Sequence, residues 1–193
     1  MIPSETEQSV REVLSLRHGR EVTLYAPSML GGGSINQACR LRTSEGDYFL
    51  KWNDLHRYPG MFEKEARGLS LLSDTGAIRV PRVIHAGASG PHAYLLLEYL
   101  DPAREVRDYW EDFGYRLAQL HRNTGDRFGL DHDNYIGSLH QPNAPRSSWA
   151  DFFTEMRLEV QVRLARDQQR ISASLSGRFD RLYLRLPSIF PAE

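Results

Sequence analysis

The apolar positions in the first half of the chain follow first a helical period and then a strand period. Val10, Val13 and Leu14 recur at helical spacing, which predicts a helix over residues 5 to 17 that stops at Gly19. The stretches that follow are rich in Val, Thr, Tyr, Phe and Ile and predict strands at 21 to 30, 35 to 42 and 47 to 53. A polar turn, "SEGD", separates the last two. The pattern indicates an antiparallel meander.

A second helix and two more strands complete the predicted sheet. Phe62, Ala66 and Leu69 share one face of a helix over residues 61 to 74. Two further strands, at about 82 to 87 and 92 to 99, flank the turn "ASGP". The sequence therefore predicts an α+β fold. Its N-terminal lobe, residues 1 to 100, holds a five-stranded antiparallel sheet plus a helix.

From about residue 104 the apolar pattern is helical. Helices are predicted at 105 to 123, from 149 toward 170, and at 172 to 186, the last ending at Pro187. Ser148 followed by Asp151 reads as a capping box at the start of the second of these helices. A polar stretch with Pro and Gly, residues 125 to 147, precedes it. Residues 101 to 193 are therefore expected to form a partial helical lobe.

Composition excludes several classes of protein. The 193 residues carry 24 Lys and Arg against 25 Asp and Glu, so the net charge of -1 favours neither nucleic acid nor an anionic membrane as a partner. Cys39 is the only cysteine, which excludes a disulfide within the chain and a Cys-based zinc site, and it is expected to serve packing. The absence of a signal-like start and of a long apolar run leads us to expect a cytoplasmic protein that does not span a membrane.

The segment "GGGSINQ", residues 31 to 37, lies between two predicted strands. Glycine permits positive φ angles and a close approach of backbone N–H groups, so the run suits a phosphate cradle as well as a simple hairpin turn. A Walker-type loop needs Lys followed by Ser or Thr and then a helix, whereas Ser34-Ile35-Asn36 leads into a strand pattern. The Walker interpretation is therefore excluded, and the other two stay open at this point.

Two charged residues fall in apolar surroundings. Lys51 lies inside the strand "YFLKW", where an exposed lysine on an edge strand is the ordinary alternative. Glu65 lies between Phe62 and Leu69 on the apolar side of its helix, where an unpaired carboxylate would cost several kcal/mol. A rim position that reaches solvent is the alternative for Glu65. We predict that Lys51 and Glu65 form an ion pair.

A glycine-rich turn, a lysine on the next strand and an inward glutamate on the following helix occur in the order used by protein-kinase-like nucleotide sites. The segment "YLLLEYL", residues 94 to 100, suits the expected strand that leads into a linker between lobes. There Leu97 would close the back of the pocket, and backbone groups of Glu98 and Leu100 would bind adenine. The predicted ATP-binding residues are Gly31, Gly32, Gly33, Ser34, Asn36, Lys51, Glu65, Glu98 and Leu100.

Eight segments carry a resemblance to a known family: "GGGSINQ", "FLKWN", "MFEKEARGLSLL", "VPRVIHAG", "LLLEYL", "FGYRLAQLHRN", "FGLDHDNYIGSLHQPN" and "SWADFFTEMRLEVQVRLA". The chain resembles the fructosamine (ketosamine) kinases, relatives of the aminoglycoside and choline phosphotransferases, over essentially its whole length. The resemblance implies a two-lobed kinase that uses ATP and Mg²⁺. It implies transfer of the γ-phosphoryl group to a sugar hydroxyl, typically O3, of a ketosamine such as a fructosamine or ribulosamine, as in protein deglycation.

The resemblance also assigns roles to particular residues. Lys51 and Glu65 match the phosphate-anchoring pair of the family. Some relatives carry cysteine where this chain has Ser34, so a redox switch at that position does not transfer. Within "FGLDHDNYIGSLHQPN", the loop from Asp131 to Asn134 is expected to cap helices or border the sugar pocket rather than bind a metal ion.

The family's catalytic loop has no counterpart in the sequence. By the resemblance, relatives continue past the segment matching "LPSIFPAE" into a His-Gly-Asp loop with a downstream Asn and a metal-binding Asp, and the 193 residues contain neither His-Gly-Asp nor His-Arg-Asp. We therefore expect the catalytic Asp and the Mg²⁺ ligands beyond Glu193, no catalytic or metal residue within the chain, and no useful activity of the chain alone. The alternatives are another small-molecule phosphotransferase, acting on an aminoglycoside or a choline-like alcohol, and a non-catalytic nucleotide-binding or interaction module.

Overall fold

A computed structural model of the chain describes residues 1–31, 33 and 35–190. The chain divides into two compact units, Met1–Asn123 and Thr124–Glu193. The predicted boundary at residue 100 separates the two lobes of a kinase, which need not coincide with these compact units. It stays a prediction. No helix among the described residues is long and apolar enough to cross a membrane.

The first unit is a five-stranded antiparallel sheet with helices. Its elements are α1 (Ser4–His18), β1 (Ser28–Leu30), β2 (Gln37–Thr43), β3 (Gly46–Asp54), α2 (Met61–Asp74), β4 (Val83–Ser89), β5 (His92–Glu98) and α3 (Tyr109–His121). The strand order is β1-β2-β3-β5-β4, and all neighbouring strands are antiparallel. The predicted α+β class and the five-stranded sheet with its helix are confirmed.

Side-chain alternation along β3 assigns its two faces to different tasks. Tyr48, Leu50 and Trp52 pack with α1 in the main apolar core. Because successive side chains of a strand point to opposite faces, Lys51 and Asn53 lie on the other face of the sheet. Helix α1 covers the core face and is fixed to the sheet by side-chain hydrogen bonds, for example between Ser9 Oγ and the hydroxyl of Tyr94 at 2.8 Å.

The first predicted strand is much shorter than residues 21 to 30. Only Ser28–Leu30 forms a strand, and upstream of it a single bridge joins Leu24 to Thr43. Pro27, directly before the strand, has no N–H to donate to a ladder, which explains why pairing is not continuous. The helix predicted at 105 to 123 also begins later, at Tyr109.

The second unit contains a small hairpin and a run of helices. Its elements are β6 (Asn134–Ile136), β7 (Leu139–Gln141), α4 (Trp149–Phe153), a π-helix (Thr154–Leu158), α5 (Glu159–Asp167) and α6 (Ala173–Ile189). The hairpin, which turns at Gly137 with a φ angle of 60°, lies in a stretch for which no strand was predicted. Ser148 Oγ accepts a hydrogen bond from the N–H of Asp151 at 3.1 Å, so the predicted cap is confirmed.

The prediction that the last helix ends at Pro187 is wrong. Helix α6 continues to Ile189, and the N–H of Phe190 still bonds to the carbonyl of Leu186 at 3.1 Å. A proline inside a helix removes its own N–H and crowds the carbonyl four residues before it, and here both effects fall near the end of the helix, where they are tolerated.

Candidate nucleotide-binding site

Lys51 and Glu65 form the ion pair that the sequence predicts. The Lys51 ammonium lies 2.5 and 2.6 Å from the two carboxylate oxygens of Glu65. The lysine side chain is 16% exposed and the glutamate 34%, so the pair is accessible from one side. The ring of Phe62, one turn of α2 before Glu65, lies 5.4 Å from the ammonium. The Lys51 ammonium is therefore held between the Glu65 carboxylate and the ring of Phe62.

The position of Lys51 in the sheet excludes the edge-strand alternative. Strand β3 lies between β2 and β5, and Lys51 is opposite Ala38 on one side and Leu95 on the other. A lysine in the middle of a sheet needs a partner for its charge, because neither neighbouring side chain supplies one. Helix α2 supplies it through Glu65.

The glycine turn is described at Gly31 and Gly33, while Gly32 and Ser34 lie outside the described residues. A Cβ atom placed on Gly33 would lie 2.7 Å from the backbone oxygen of Asn36, which is closer than real Cβ atoms approach. A Cβ atom on Gly31 would meet nothing within 4 Å. Where the turn approaches Asn36, it therefore has no room for a side chain at position 33.

Asn53 connects the glycine turn to the rest of the site. Its Nδ2 donates to Asn36 Oδ1 at 2.9 Å and to the sulfur of Met61, the first residue of α2, at 3.2 Å. Sequence reasoning missed Asn53. The available signal was a polar residue two positions after Lys51, hence on the same face of β3.

A small apolar cavity lies where β5 leads into the following linker. Its volume is about 220 Å³, and it is lined by Phe49, Pro81, Leu97, Glu98, Tyr99 and Leu100. The N–H of Arg82 and the guanidinium of Arg79 bind the Glu98 carboxylate, at 3.2 and 2.9 Å. These hydrogen bonds, that from Arg82 first, lower the pKa of Glu98. The Glu98 carboxylate is thus bound by two residues that precede β4.

The loop from Asp131 to Asn134, in the second unit, is ordered by hydrogen bonds. Its Asp133 carboxylate accepts from the N–H of Asn143 at 2.8 Å, and Arg157 donates to the Asn143 side chain at 2.6 Å. Among the residues that the structure describes, no three or more His, Cys, Asp or Glu side chains come together as a metal site. A larger cavity of about 590 Å³ in this unit has a mainly apolar lining that includes Ile136, Leu139, Met156, Val162 and Phe179.

Comparison with known proteins shows to which family the chain belongs. The family model described as "Fructosamine kinase" matches residues 6–191. The chain belongs to the fructosamine kinase family. It is 41% identical over 160 residues to the "Probable ketoamine kinase" of Synechocystis sp., covering 82% of this chain and 54% of that protein. It is 37% identical over 171 residues to the "Protein-ribulosamine 3-kinase, chloroplastic" of Arabidopsis thaliana, covering 87% of this chain and 52% of that protein.

Two solved structures with the same family description also resemble this chain. A "Putative fructosamine-3-kinase" from Haemophilus somnus superposes with a TM-score of 0.82 at 30% identity, over 93% of this chain and 60% of that one. A protein of the same description from Thermobifida fusca gives a TM-score of 0.79 at 27% identity, over 95% and 64%. The chain thus spans about half the length of the curated relatives it matches, 54% and 52%.

Proposed function

We propose that this member of the fructosamine kinase family anchors ATP for the phosphorylation of a sugar hydroxyl, of the O3 type, on a ketosamine. The observation that carries the proposal is the Lys51–Glu65 pair, with the ammonium 2.5 and 2.6 Å from the two carboxylate oxygens. In kinase-like sites a lysine held in this way binds the phosphates of ATP and neutralises part of their charge.

The surrounding residues fit the two ends of ATP. The cavity of about 220 Å³ beside Leu97 and Leu100 offers an apolar slot for adenine, and the backbone of Glu98 and Leu100 supplies its polar contacts. The turn at Gly31 and Gly33 would bring backbone N–H groups toward the phosphates, and glycine at position 33 lets the turn close against the backbone oxygen of Asn36. Gly32 and Ser34, which lie outside the described residues, are included in the proposed ATP-binding turn on the strength of the sequence alone.

Mg²⁺, when bound with ATP, would offset the charge that develops on the phosphates during transfer. The proposal assigns no residue of the described chain to Mg²⁺ and none to the catalytic base. What this chain contributes is the binding and orientation of the nucleotide, through Lys51 and the glycine turn, and exclusion of water from the adenine slot. A cytoplasmic location is likewise a proposal.

The names of two relatives favour a ketosamine as the acceptor, since one is called a ketoamine kinase and the other a protein-ribulosamine 3-kinase. Transfer to an aminoglycoside or a choline-like alcohol is the competing activity, and nucleotide binding without catalysis is the competing role. Substrate comparison separates the first, and a transfer assay separates the second.

The test has a binding arm and a transfer arm. In the first, isothermal titration should show that the chain binds ATP, that Lys51→Met weakens ATP binding at least about tenfold, and that adenosine binding changes little, because Lys51 contacts only phosphates. Lys64→Met on α2 is the matched control, since it removes the same charge one residue before Glu65 and should leave ATP binding unchanged.

In the transfer arm, the chain is joined to the remainder of the Synechocystis relative and supplied with ATP, Mg²⁺ and one acceptor. Fructosyl-lysine or ribulosyl-lysine should be phosphorylated, whereas an aminoglycoside and choline should not. Phosphorylation of choline or the aminoglycoside alone would contradict the proposed acceptor. A chain that binds neither ATP nor adenosine would contradict the nucleotide site itself.

A further inference from the structure

Asn53 is a buried polar residue in the candidate site to which no role has been assigned. Only 6% of the residue is exposed, and its Oδ1 atom is buried without a hydrogen-bond partner among the described residues. A buried amide oxygen that lacks a partner costs free energy. If packing were the only task of this position, an apolar residue of similar size would serve it better. Among the described residues, Asn53 therefore contributes through its donor group.

The donor group of Asn53 bridges two separate elements. The register that pairs Gln37 with Trp52 also places Asn36 opposite Asn53, one step beyond the end of the β2–β3 ladder. There Asn53 Nδ2 lies 2.9 Å from Asn36 Oδ1, and the same nitrogen lies 3.2 Å from the sulfur of Met61. One amide thus contacts the end of the glycine-rich turn and the start of α2.

This bridge runs alongside the Lys51–Glu65 pair. Lys51 and Asn53 share one face of β3 because they are two residues apart, and Met61 and Glu65 share one face of α2 because they are four apart. Strand β3 therefore meets α2 at two successive points, the ion pair and the contact of Asn53 with Met61. The second point also holds Asn36, so the glycine-rich turn is joined to the helix that carries Glu65.

We propose that Asn53 is a positioning residue that holds the glycine-rich turn, through Asn36, in the conformation that receives the phosphates of ATP. The inference rests on the proposed function. The backbone oxygen of Asn36 lies against Gly33. Holding Asn36 in place therefore also restricts the backbone at Gly33. Because the Asn36 amide oxygen accepts from Asn53, its NH₂ group is left as a donor for a phosphate oxygen.

The decisive variant is Asn53→Leu, measured on the chain as it stands. Leucine keeps the branched four-atom side chain of asparagine, although its methyl groups are larger; it carries no charge that would repel phosphate, and it removes the donor group that binds Asn36. The Kd for ATP should therefore rise about 5- to 10-fold, and the melting temperature shows how well the larger side chain is accommodated. The Kd for adenosine should stay unchanged, since the turn faces phosphates and not the base. A residue with a merely structural role would not separate the two ligands in this way.

A second variant keeps the test decisive if Asn53→Leu loses stability. Asn36→Ala should raise the Kd for ATP by a similar factor, and adding Asn53→Leu to it should cause no further rise, because Asn53 acts through Asn36. Equal ATP affinity in wild type and both single variants, or an equal loss for ATP and adenosine, would overturn the inference while leaving the nucleotide site intact. Failure of the wild-type chain to bind either ligand would overturn the proposed function and this inference with it.

Discussion

Removing the Lys51–Glu65 pair should destabilise the first unit by an amount between those of exposed and buried ion pairs. Two unit charges at the 2.6 Å separation of this pair attract by about 6 kcal/mol at an effective dielectric constant of about 20. Desolvation of the lysine, which is 16% exposed, and ordering of both side chains offset much of this attraction. Exposed pairs contribute about 0.2–1 kcal/mol, and breaking a buried pair costs about 3–5 kcal/mol. We expect a coupling free energy of about 1–2 kcal/mol for this half-buried pair.

The measurement is a double-mutant cycle of Lys51→Met, Glu65→Gln and the double variant, followed by urea unfolding. The sequence contains three tryptophans, and only Trp52 is buried in β3. Replacing Trp110 and Trp149 with phenylalanine in every variant leaves Trp52 fluorescence as a specific report on unfolding of the sheet. The coupling free energy follows from the four unfolding free energies.

The exposed pair of Arg116 and Asp112 on α3 supplies the matched control. Its atoms lie 2.7 Å apart, but both side chains are more than half exposed, at 53% and 57%. A parallel cycle there should give only about 0.3–0.5 kcal/mol. If the Lys51–Glu65 coupling were no larger than this control, solvent would screen the pair fully, and the reasoning that places it inside a partly closed site would be refuted.

Three further predictions concern single positions. Gly33→Ala should weaken ATP binding, because its Cβ would lie 2.7 Å from a backbone oxygen, whereas Gly114→Ala on α3, where a Cβ meets nothing within 4 Å, should not; equal effects in titration would contradict the crowding argument. Burial raises the pKa of the Cys39 thiol to about 11, so a disulfide reagent at pH 8 should label it only after unfolding, and fast labelling of the native chain would disprove this. The N–H of Arg82 lowers the pKa of Glu98 below its usual 4.5, so this contribution to stability is full above about pH 4.5 and is lost as the pH falls further. Glu98→Gln should flatten the acid side of the stability curve, and an unchanged acid slope would count against it.

The parts of the fold that sequence reasoning predicts well are those with strong local signals. Helix α2 has the predicted bounds, Met61–Asp74, and is flanked by Gly60 and Gly76, both with positive φ angles of 68° and 63°. The Lys51–Glu65 pair is predictable because each charge lies in an apolar pattern that demands a partner. The local sequence therefore suffices where flanking residues end a helix, or where a charged residue in apolar surroundings requires a partner of opposite charge.

The parts that it misses depend on contacts between distant segments. Strands β6 and β7 are three residues each, which is too short for alternation to stand out. Asn53 contacts residues 17 positions before it and 8 positions after it, and no periodic pattern connects those positions. Pro27 shortened the first strand because β pairing depends on each N–H, whereas the sequence pattern records only side-chain type.

Two of the segments that carry the family resemblance are joined in the structure by hydrogen bonds of Arg157. Asn143, fully buried, ends "FGLDHDNYIGSLHQPN", and its amide donates to the carbonyl of His132 in the same segment at 3.1 Å. Its side-chain oxygen, Oδ1, accepts a hydrogen bond at 2.6 Å from the guanidinium of Arg157, which belongs to "SWADFFTEMRLEVQVRLA". Arg157 lies in the π-helix Thr154–Leu158, a wider turn that shifts the helical register of the residues after it. Because the first segment supplies the buried amide and the second supplies the cation, neither would be ordered in this way alone. These contacts order the second unit, whereas the residues proposed to bind ATP lie in the first unit, Met1–Asn123.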